Sequence, residues 1–389
     1  MMKRRKNRKI INNKNRKNKG GKYIVVTLLT LLALTVAVGT FAWVWGIRQD
    51  RKDRETVDLL ETEQESSTEM EEITETASAE EPSKEEADYP EPTYPFRVEE
   101  LVVEVPGLSG TYTVAWVSDL HMVTDHEISD DILDEDMEAV RVRYDFFQTA
   151  DGVHGEDLLP QVIDFLNYGD FDGIIFGGDM IDYCSASNME LLRSEFGRVD
   201  SRVPVLYIRA DHDYGFWYGG DGFTEADAYT MHGEMADGDD LNMKYLDFGE
   251  FVILGVNRST KNMFPEQYEI LDRMFAGAAS ESKPVIVATH VPYASRIDET
   301  NEVALYDRSM EIRNKIYYWG GGDYVPNEVT TDFLDHIYRD DTAVVEVLAG
   351  HLHAGWDGRL TEKVGQHIFE PAYLGSIGVI RFVPKEENR

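Results

Sequence analysis

Short apolar runs rich in β-branched residues recur from about residue 95 and alternate with segments of helical periodicity. Runs that are apolar on both faces predict buried strands, and they occupy residues 111–119, 171–179, 203–211, 251–257, 283–290 and 342–351. Apolar residues at helical spacing predict amphipathic helices over 156–169 and 265–278. Strands that alternate with helices favour an α/β domain with a largely parallel sheet.

The longest apolar run lies near the N-terminus. Residues 23–47 carry no charge over 25 positions, and residues 1–22 hold eleven Lys or Arg and no acid. A helix that rises about 1.5 Å per residue over such a run spans a ~30 Å hydrocarbon core. Because basic flanks stay in the cytoplasm, the pattern predicts a single-pass anchor in the cell membrane with the catalytic domain extracellular. A cleaved signal peptide and a buried core helix are the alternatives.

Acidic side chains are concentrated beyond this run. The chain has 73 Asp and Glu against 38 Lys and Arg, and every acid follows residue 47. Residues 53–91 contain only Arg54 and Lys84 as cations and almost no aromatic residues, which predicts a disordered stalk. The predicted division is a basic tail (1–22), a membrane helix (23–47), an acidic stalk (48–94) and a folded domain (95–389). Such an acidic chain is not expected to bind nucleic acid polymers.

Cys184 is the only cysteine of the sequence. No disulfide can form within the chain, and a cluster of thiolate ligands around a metal is excluded. We expect the thiol to pack as a small apolar group.

Titratable residues follow nearly every predicted strand, in the short motifs SDLH, GGDMID, ADHD, ATH and GHLH. In open α/β sheets, ligands bind where the carboxyl ends of parallel strands meet. Oxygen and imidazole donors without sulfur suit Mn, Fe, Zn or Co. Seven or eight such ligands are too many for one ion and predict two metals about 3.5–4 Å apart. Taken singly, each aspartate has the alternative explanation of a helix cap. The candidate residues are Asp119, His121, Asp179, Asp182, Asp211, His212, Asp213, His290, His351 and His353.

The ordered set D-x-H, G-D-x-x-D, an element like G-N-H-[DE], a histidine and G-H-x-H resembles the calcineurin-like metallophosphoesterase family over about Val114 to His353. The predicted anchor resembles that of membrane-anchored bacterial members. The resemblance implies an α/β fold, a four-layer αββα sandwich with two central mixed β-sheets, here preceded by one transmembrane helix. It also implies hydrolysis of a phosphomonoester, phosphodiester or pyrophosphate by metal-activated hydroxide.

The resemblance assigns roles position by position. One divalent ion would be held by Asp119, His121, Asp179 and His353. The other would be held by Asp179, Asp211, His290 and His351, so that Asp179 bridges the pair. His212 would be the general acid that protonates the leaving group, and Asp182 or Asp213 would orient its imidazole.

The sequence departs from the family pattern twice. Ala210 and Asp211 occupy the places of Gly and Asn, and the added carboxylate should favour harder ions and disfavour an anionic phosphate. Tyr183 and Cys184 follow Asp182 where protein phosphatases of the family carry an arginine, which argues against a phosphoprotein substrate. The expected substrate is a phosphorylated small molecule or lipid-linked compound, and the oligomeric state is left open. A surface-tethered module that binds metal or phosphate without catalysis is the alternative function.

Overall fold

The computed structural model of the chain describes residues 89–124, 137–216, 224–236, 243–256, 263, 265–297 and 326–386. The predicted basic tail, membrane helix and all but the last residues of the acidic stalk lie outside these ranges. Within them, no helix has both the length and the apolarity needed to cross a membrane. The ranges belong to a unit that spans Glu86–Arg389.

Two mixed β-sheets form the centre of this unit. The first has five strands in the order β1-β11-β2-β3-β4, and the second has six in the order β5-β6-β7-β8-β10-β9. The strands are β1 (Arg97–Val105), β2 (Tyr112–Val117), β3 (Gly173–Phe176), β4 (Val205–Tyr207), β5 (Met243–Asp247), β6 (Val252–Val256), β7 (Val285–Thr289), β8 (Val344–Ala349), β9 (Trp356–Arg359), β10 (Gly365–Ile368) and β11 (Ser376–Pro384).

Helices connect the parallel strands. Two of them begin at a side-chain cap: Ser185 accepts a hydrogen bond from the Asn188 N–H, and Asn327 accepts one from the Thr330 N–H. The described helices are α1 (Met137–Phe146), α2 (Gly155–Tyr168), α3 (Ala186–Phe196), α4 (Glu225–Ala236), α5 (Pro265–Ser280) and α6 (Glu328–Tyr338).

All six strands and both helices predicted from periodicity are present, as β2, β3, β4, β6, β7, β8, α2 and α5. The prediction of a largely parallel sheet holds for β2–β3–β4 and β6–β7–β8–β10. β1 and β11 are parallel as well, so six of the nine pairings in the two sheets are parallel. The pairings β11–β2, β5–β6 and β9–β10 are antiparallel, so both sheets are mixed, as the family resemblance implied. Charged residues interrupt the apolar residues of β1, which is why this edge strand does not form an apolar run.

Three apolar clusters show how the sheets and helices are layered. Trp116, Phe251 and Phe369 belong to a cluster that both sheets share, and the rings of Trp116 and Phe369 stack with centroids 5.0 Å apart. A second cluster joins the first sheet to α2 and α3, and a third joins the second sheet to α5 and α6. The order is therefore helices, sheet, sheet and helices. Cys184 is buried in the second cluster, as expected of an apolar packing residue.

Glu346 is a polar side chain within the second sheet. It lies on β8 opposite Gly365 of β10, in a place where a β-carbon at Gly365 would collide with its carboxylate. Burial raises the pKa of Glu346 to about 8, Asp357 adds to the shift and Arg359 opposes it. The folded protein therefore retains a proton here that the unfolded chain loses near pH 4.5.

We expect Glu346→Gln to stabilise the protein at alkaline pH. Because the folded-state pKa is raised, this group lowers the free energy of unfolding progressively as the pH rises from about 4.5 to 8. Glutamine removes the titration, so stability should increase by on the order of 2 kcal/mol at pH 8 and change little at pH 4. Urea unfolding followed by circular dichroism at both pH values measures this difference. The exposed Glu269→Gln is the control, and an equal effect of both substitutions would contradict the prediction.

Candidate metal centre

The residues that follow five strands come together at one place between the two sheets. Ligand atoms of Asp179, Asp211, His290 and His351 lie within 4.8 Å of one another, and so do those of Asp119, His121 and His353. The two groups are adjacent, because Asp179 Oδ2 lies 2.9 Å from His290 Nε2 and 3.7 Å from His121 Nε2. All seven side chains predicted as metal ligands are thus collected, with Asp179 between the groups.

The backbone at most of these positions is left-handed. Six described residues other than glycine have positive φ, and five of them are candidate ligands: Asp119 (55°), His121 (47°), Asp179 (52°), His351 (72°) and His353 (51°). This conformation is unfavourable for residues with a β-carbon and persists only where the surroundings impose it. It turns the chain sharply at the strand ends, which brings consecutive motif residues into the same space.

Backbone hydrogen bonds hold these turns against one another. The N–H groups of Asp119 and His121 donate to the carbonyls of Gly178 and Asp179, both at 2.9 Å. The Asp119 carboxylate also accepts the His351 N–H at 3.0 Å, so the first sheet is joined to the second. Glycine is required at residue 350 because a β-carbon there would collide with the Asp119 carboxylate.

Hydrogen bonds to the Nδ1 atoms orient two of the histidines. His290 Nδ1 lies 2.9 Å from the Gly177 carbonyl, and His121 Nδ1 lies 2.9 Å from Asp182 Oδ1. Since these oxygens only accept, each Nδ1 carries the proton and each Nε2 presents a lone pair to the centre. A carboxylate or carbonyl behind the imidazole is the usual support of a metal-binding histidine.

The seven side chains fit divalent ions. His121 Nε2 and His353 Nε2 are 3.0 Å apart, the separation of two nitrogens bound at right angles to one ion at about 2.1 Å. Asp211 Oδ1 is buried and makes no hydrogen bond to any part of the chain that the structure describes. A buried carboxylate oxygen without a donor calls for a cation. Donors of this kind suit Mn, Fe, Zn or Co.

His212 and Asp182 form a second hydrogen-bonded group beside the ligands. His212 Nδ1 lies 2.8 Å from the Asp182 carbonyl and 3.2 Å from its Oδ1, and the imidazole is 20% exposed. Burial lowers the pKa of His212, but Asp179, Asp182 and Asp211 outweigh it and raise the pKa to about 10. The surrounding carboxylates therefore favour the protonated imidazole, the form that a general acid requires.

Asp213 has a different position from the one predicted for it. Its carboxylate accepts hydrogen bonds from the N–H groups of Asp179 (2.9 Å), Met180 (3.0 Å) and Ala210 (2.8 Å), and from the Tyr207 hydroxyl (3.1 Å). The Asp213 carboxylate therefore connects the turn after β3 to the turn after β4. The residue that contacts the His212 imidazole is Asp182. A carboxyl that receives several backbone N–H groups serves to hold the turns in place.

The family model for calcineurin-like phosphoesterases matches residues 112–355 of the sequence. This range includes every residue of the centre. The chain belongs to the calcineurin-like phosphoesterase family. A search of curated proteins found no match.

Solved structures of distant phosphoesterases resemble the chain weakly. A dimetal phosphatase from Danio rerio has 12% identity and a TM-score of 0.41, with 67% of this chain and 88% of that chain covered. A putative 5'-nucleotidase from Staphylococcus aureus has 11% identity and a TM-score of 0.39, with coverage of 70% and 51%. The 5'-nucleotidase precursor from Thermus thermophilus has 10% identity and a TM-score of 0.36, with the same coverage. The chain thus spans about half the length of the two nucleotidases.

Two residues of this phosphoesterase centre lie on or beside a helix that the sequence did not single out. Arg143 of α1 binds Asp182 with both ends of its guanidinium, Nε to Oδ2 at 2.5 Å and Nη2 to Oδ1 at 2.6 Å. The ring of Phe147, just after α1, stacks on His121 with centroids 4.1 Å apart. No motif marks either residue, and each lies far along the chain from its partner, Arg143 from Asp182 and Phe147 from His121.

Long segments follow His212 and His290 in the chain. The first contains α4, whose His232 is buried and bonds to the Asp213 carbonyl through Nε2 at 2.8 Å. Most of the second, residues 298–325, lies outside the described residues. The guanidinium of Arg209 lies over the Tyr207 ring, 4.6 Å from the centroid.

We expect Arg143→Ala to impair catalysis. Burial opposes ionisation of Asp182, but hydrogen bonds from Arg143, His121 and His212 hold the pKa of its carboxyl well below the usual range. Loss of the bidentate pair would free Asp182 to move away from both imidazoles. Charged hydrogen bonds contribute about 1.5–3 kcal/mol, so kcat with a poor leaving group should fall roughly 10- to 100-fold.

Added guanidinium should restore part of the activity of Arg143→Ala, which a merely misfolded variant would not show. Arg141→Ala is the matched control, because Arg141 lies on the same helix and is exposed. Equal rates for the two alanine variants would contradict a role of Arg143 in catalysis.

Proposed function

We propose that the protein is a phosphoesterase that binds two divalent metal ions and hydrolyses a phosphorylated compound. The observation that carries this proposal is the collection of seven ligand side chains into two adjacent groups beside His212, whose Nδ1 lies 3.2 Å from the Asp182 carboxylate. Asp119, His121 and His353 would hold one ion, Asp211, His290 and His351 the other, and Asp179 would contact both. Helix capping, the alternative for each aspartate alone, does not account for the histidines that converge with them.

The ions would polarise the phosphoryl group and lower the pKa of a bound water. Side chains of the protein orient the reacting groups and supply the proton. Asp182 holds the imidazoles of His121 and His212 in fixed orientations, since both Nδ1 atoms lie within hydrogen-bond distance of this one residue. His212 Nε2 then donates its proton to the oxygen of the leaving group.

The first 47 residues are the basis of our proposal for where the protein is located in the cell. We propose that residues 23–47 anchor the protein in the membrane and that the phosphoesterase domain lies outside the cell, as in membrane-anchored bacterial members of the family. The basic residues before the apolar run and the acidic residues after it support this orientation. Its substrates would then be phosphorylated small molecules or lipid-linked compounds near the outer surface.

Metal content tests the proposal against a non-catalytic binding module, an alternative that the unusual Asp211 favours. We expect the full-length chain, purified in detergent and loaded with Mn, to hold about two ions and to cleave an aryl phosphodiester or monoester. Chelation should abolish turnover and Mn should restore it. Plasma mass spectrometry gives the stoichiometry. One ion or none per folded chain, together with no turnover under any divalent ion, would favour the binding module.

His212→Ala should slow the hydrolysis of substrates with poor leaving groups far more than that of substrates with good ones. An alkoxide leaving group needs the proton of a general acid, whose contribution is about 10²–10⁴-fold, whereas p-nitrophenolate leaves without it. The rates of a series of esters with increasing leaving-group pKa measure the difference. His154→Ala, at the start of α2, is the control. A uniform loss across the series would assign His212 another role.

A further inference from the structure

Asp211 lies among the candidate metal ligands. It follows β4, and its carboxylate lies within 4.8 Å of ligand atoms of Asp179, His290 and His351. Asp179 and His290 also bond to the backbone, to the His212 N–H and the Gly177 carbonyl respectively. Asp211 Oδ1 has no such partner among the described residues. Its charge is therefore directed at the metal positions.

The extra carboxylate changes the charge that a substrate meets. The ligand set contains three carboxylates, those of Asp119, Asp179 and Asp211. With two divalent ions, this set retains one net positive charge, whereas asparagine at residue 211 would leave two. Opposite charges a few ångströms apart at a partly buried site attract strongly, so the loss of one unit weakens the binding of anions considerably.

His212 and Arg143 supply the positive side chains beside the ligands, and both are present whether residue 211 is aspartate or asparagine. The guanidinium of Arg143 is bound in bidentate fashion to Asp182, so its charge is balanced by that carboxylate. Tyr183 and Cys184, which follow Asp182 where related protein phosphatases carry an arginine, are both buried and uncharged. A substitution at residue 211 therefore changes the net charge of the centre by one unit while these neighbours stay the same.

We infer that Asp211 makes this centre selective for singly charged phosphodiesters over doubly charged phosphomonoesters. The inference rests on the proposed phosphoesterase function and names its substrate class. A water oxygen forms the new bond to phosphorus, the bond from phosphorus to one alcohol oxygen breaks, and that oxygen takes the His212 proton. The water gives up its two protons: one returns to His212, and the other passes to the solvent when the phosphomonoester ionises to its dianion. The products are an alcohol and a doubly charged phosphomonoester. The doubly charged product is the species that the centre binds weakly, which favours its release.

Two substrates with the same leaving group test the inference. Methyl p-nitrophenyl phosphate carries one charge and p-nitrophenyl phosphate carries two at pH 8. With the full-length, Mn-loaded protein, kcat/KM for the diester should exceed that for the monoester by at least tenfold. Asp211→Asn should reduce this ratio at least tenfold, because it restores one positive charge. Asp211→Glu keeps the charge and should keep the preference.

Calorimetry with inorganic phosphate gives a second result that does not depend on turnover. Loaded Asp211→Asn should bind phosphate at least tenfold more tightly than the loaded wild type, with equal metal content confirmed for both. Asp170→Asn makes the same charge change at an exposed residue before β3, at the opposite end of the strand from Asp179, and should alter neither result.

The outcomes separate this inference from the proposed function. Wild type that prefers the monoester, or an unchanged ratio and unchanged phosphate affinity in Asp211→Asn, would overturn the selectivity while leaving the phosphoesterase activity intact. If the loaded wild type cleaves neither ester, the proposed function fails. The phosphate affinities of the two proteins then still decide whether Asp211 lowers anion binding.

Discussion

Left-handed backbone at the carboxyl ends of the strands is the constraint on which the candidate metal centre depends. Five candidate ligands adopt it, and each such residue costs on the order of 1 kcal/mol or more. The cost is offset by neighbours that hold the turns from several directions. Asp213 accepts the N–H groups after β3, and Asp119 accepts that of His351 from the other sheet. A strained turn supported in this way presents its side chain in one orientation, as a metal ligand requires.

Two buried carboxylates near His212 serve different purposes because their partners differ. Asp182 contacts Arg143 and two imidazoles, so its charge is balanced and it orients the residues that face the substrate. Asp213 contacts backbone N–H groups and a hydroxyl. Burial and the charge of Asp179 raise the pKa of Asp213 to about 7, although the N–H groups of Ala210 and Ile181 oppose the shift. One carboxylate thus organises the chemistry and the other organises the backbone.

The charge of the centre connects its geometry to a substrate class. Family membership establishes a phosphoesterase domain but leaves the ester undefined. The carboxylate of Asp211 and the pairing of Arg143 with Asp182 both reduce the attraction for a doubly charged phosphate. The surface of the protein acts in the same direction at longer range, since the chain carries a formal charge of −35. A neutral or singly charged ligand approaches such a protein more readily than a polyanion.

Periodicity and motif order were enough to predict the six buried strands, the two amphipathic helices and the seven candidate ligands, because apolar runs and the residues that end them are local features of the chain. Arg143 and Phe147 could not be found in this way. They reach Asp182 and His121 only through the placement of α1 against the strand ends, and nothing in their local sequence differs from an ordinary helix. The role of Asp213 could not be decided from the ADHD motif either, because that motif contains two carboxylates, those of Asp211 and Asp213. The sequence alone determined which residues could bind metal, whereas the tertiary structure decided which of the remaining charged groups support them, since support depends on hydrogen bonds between segments distant in the chain.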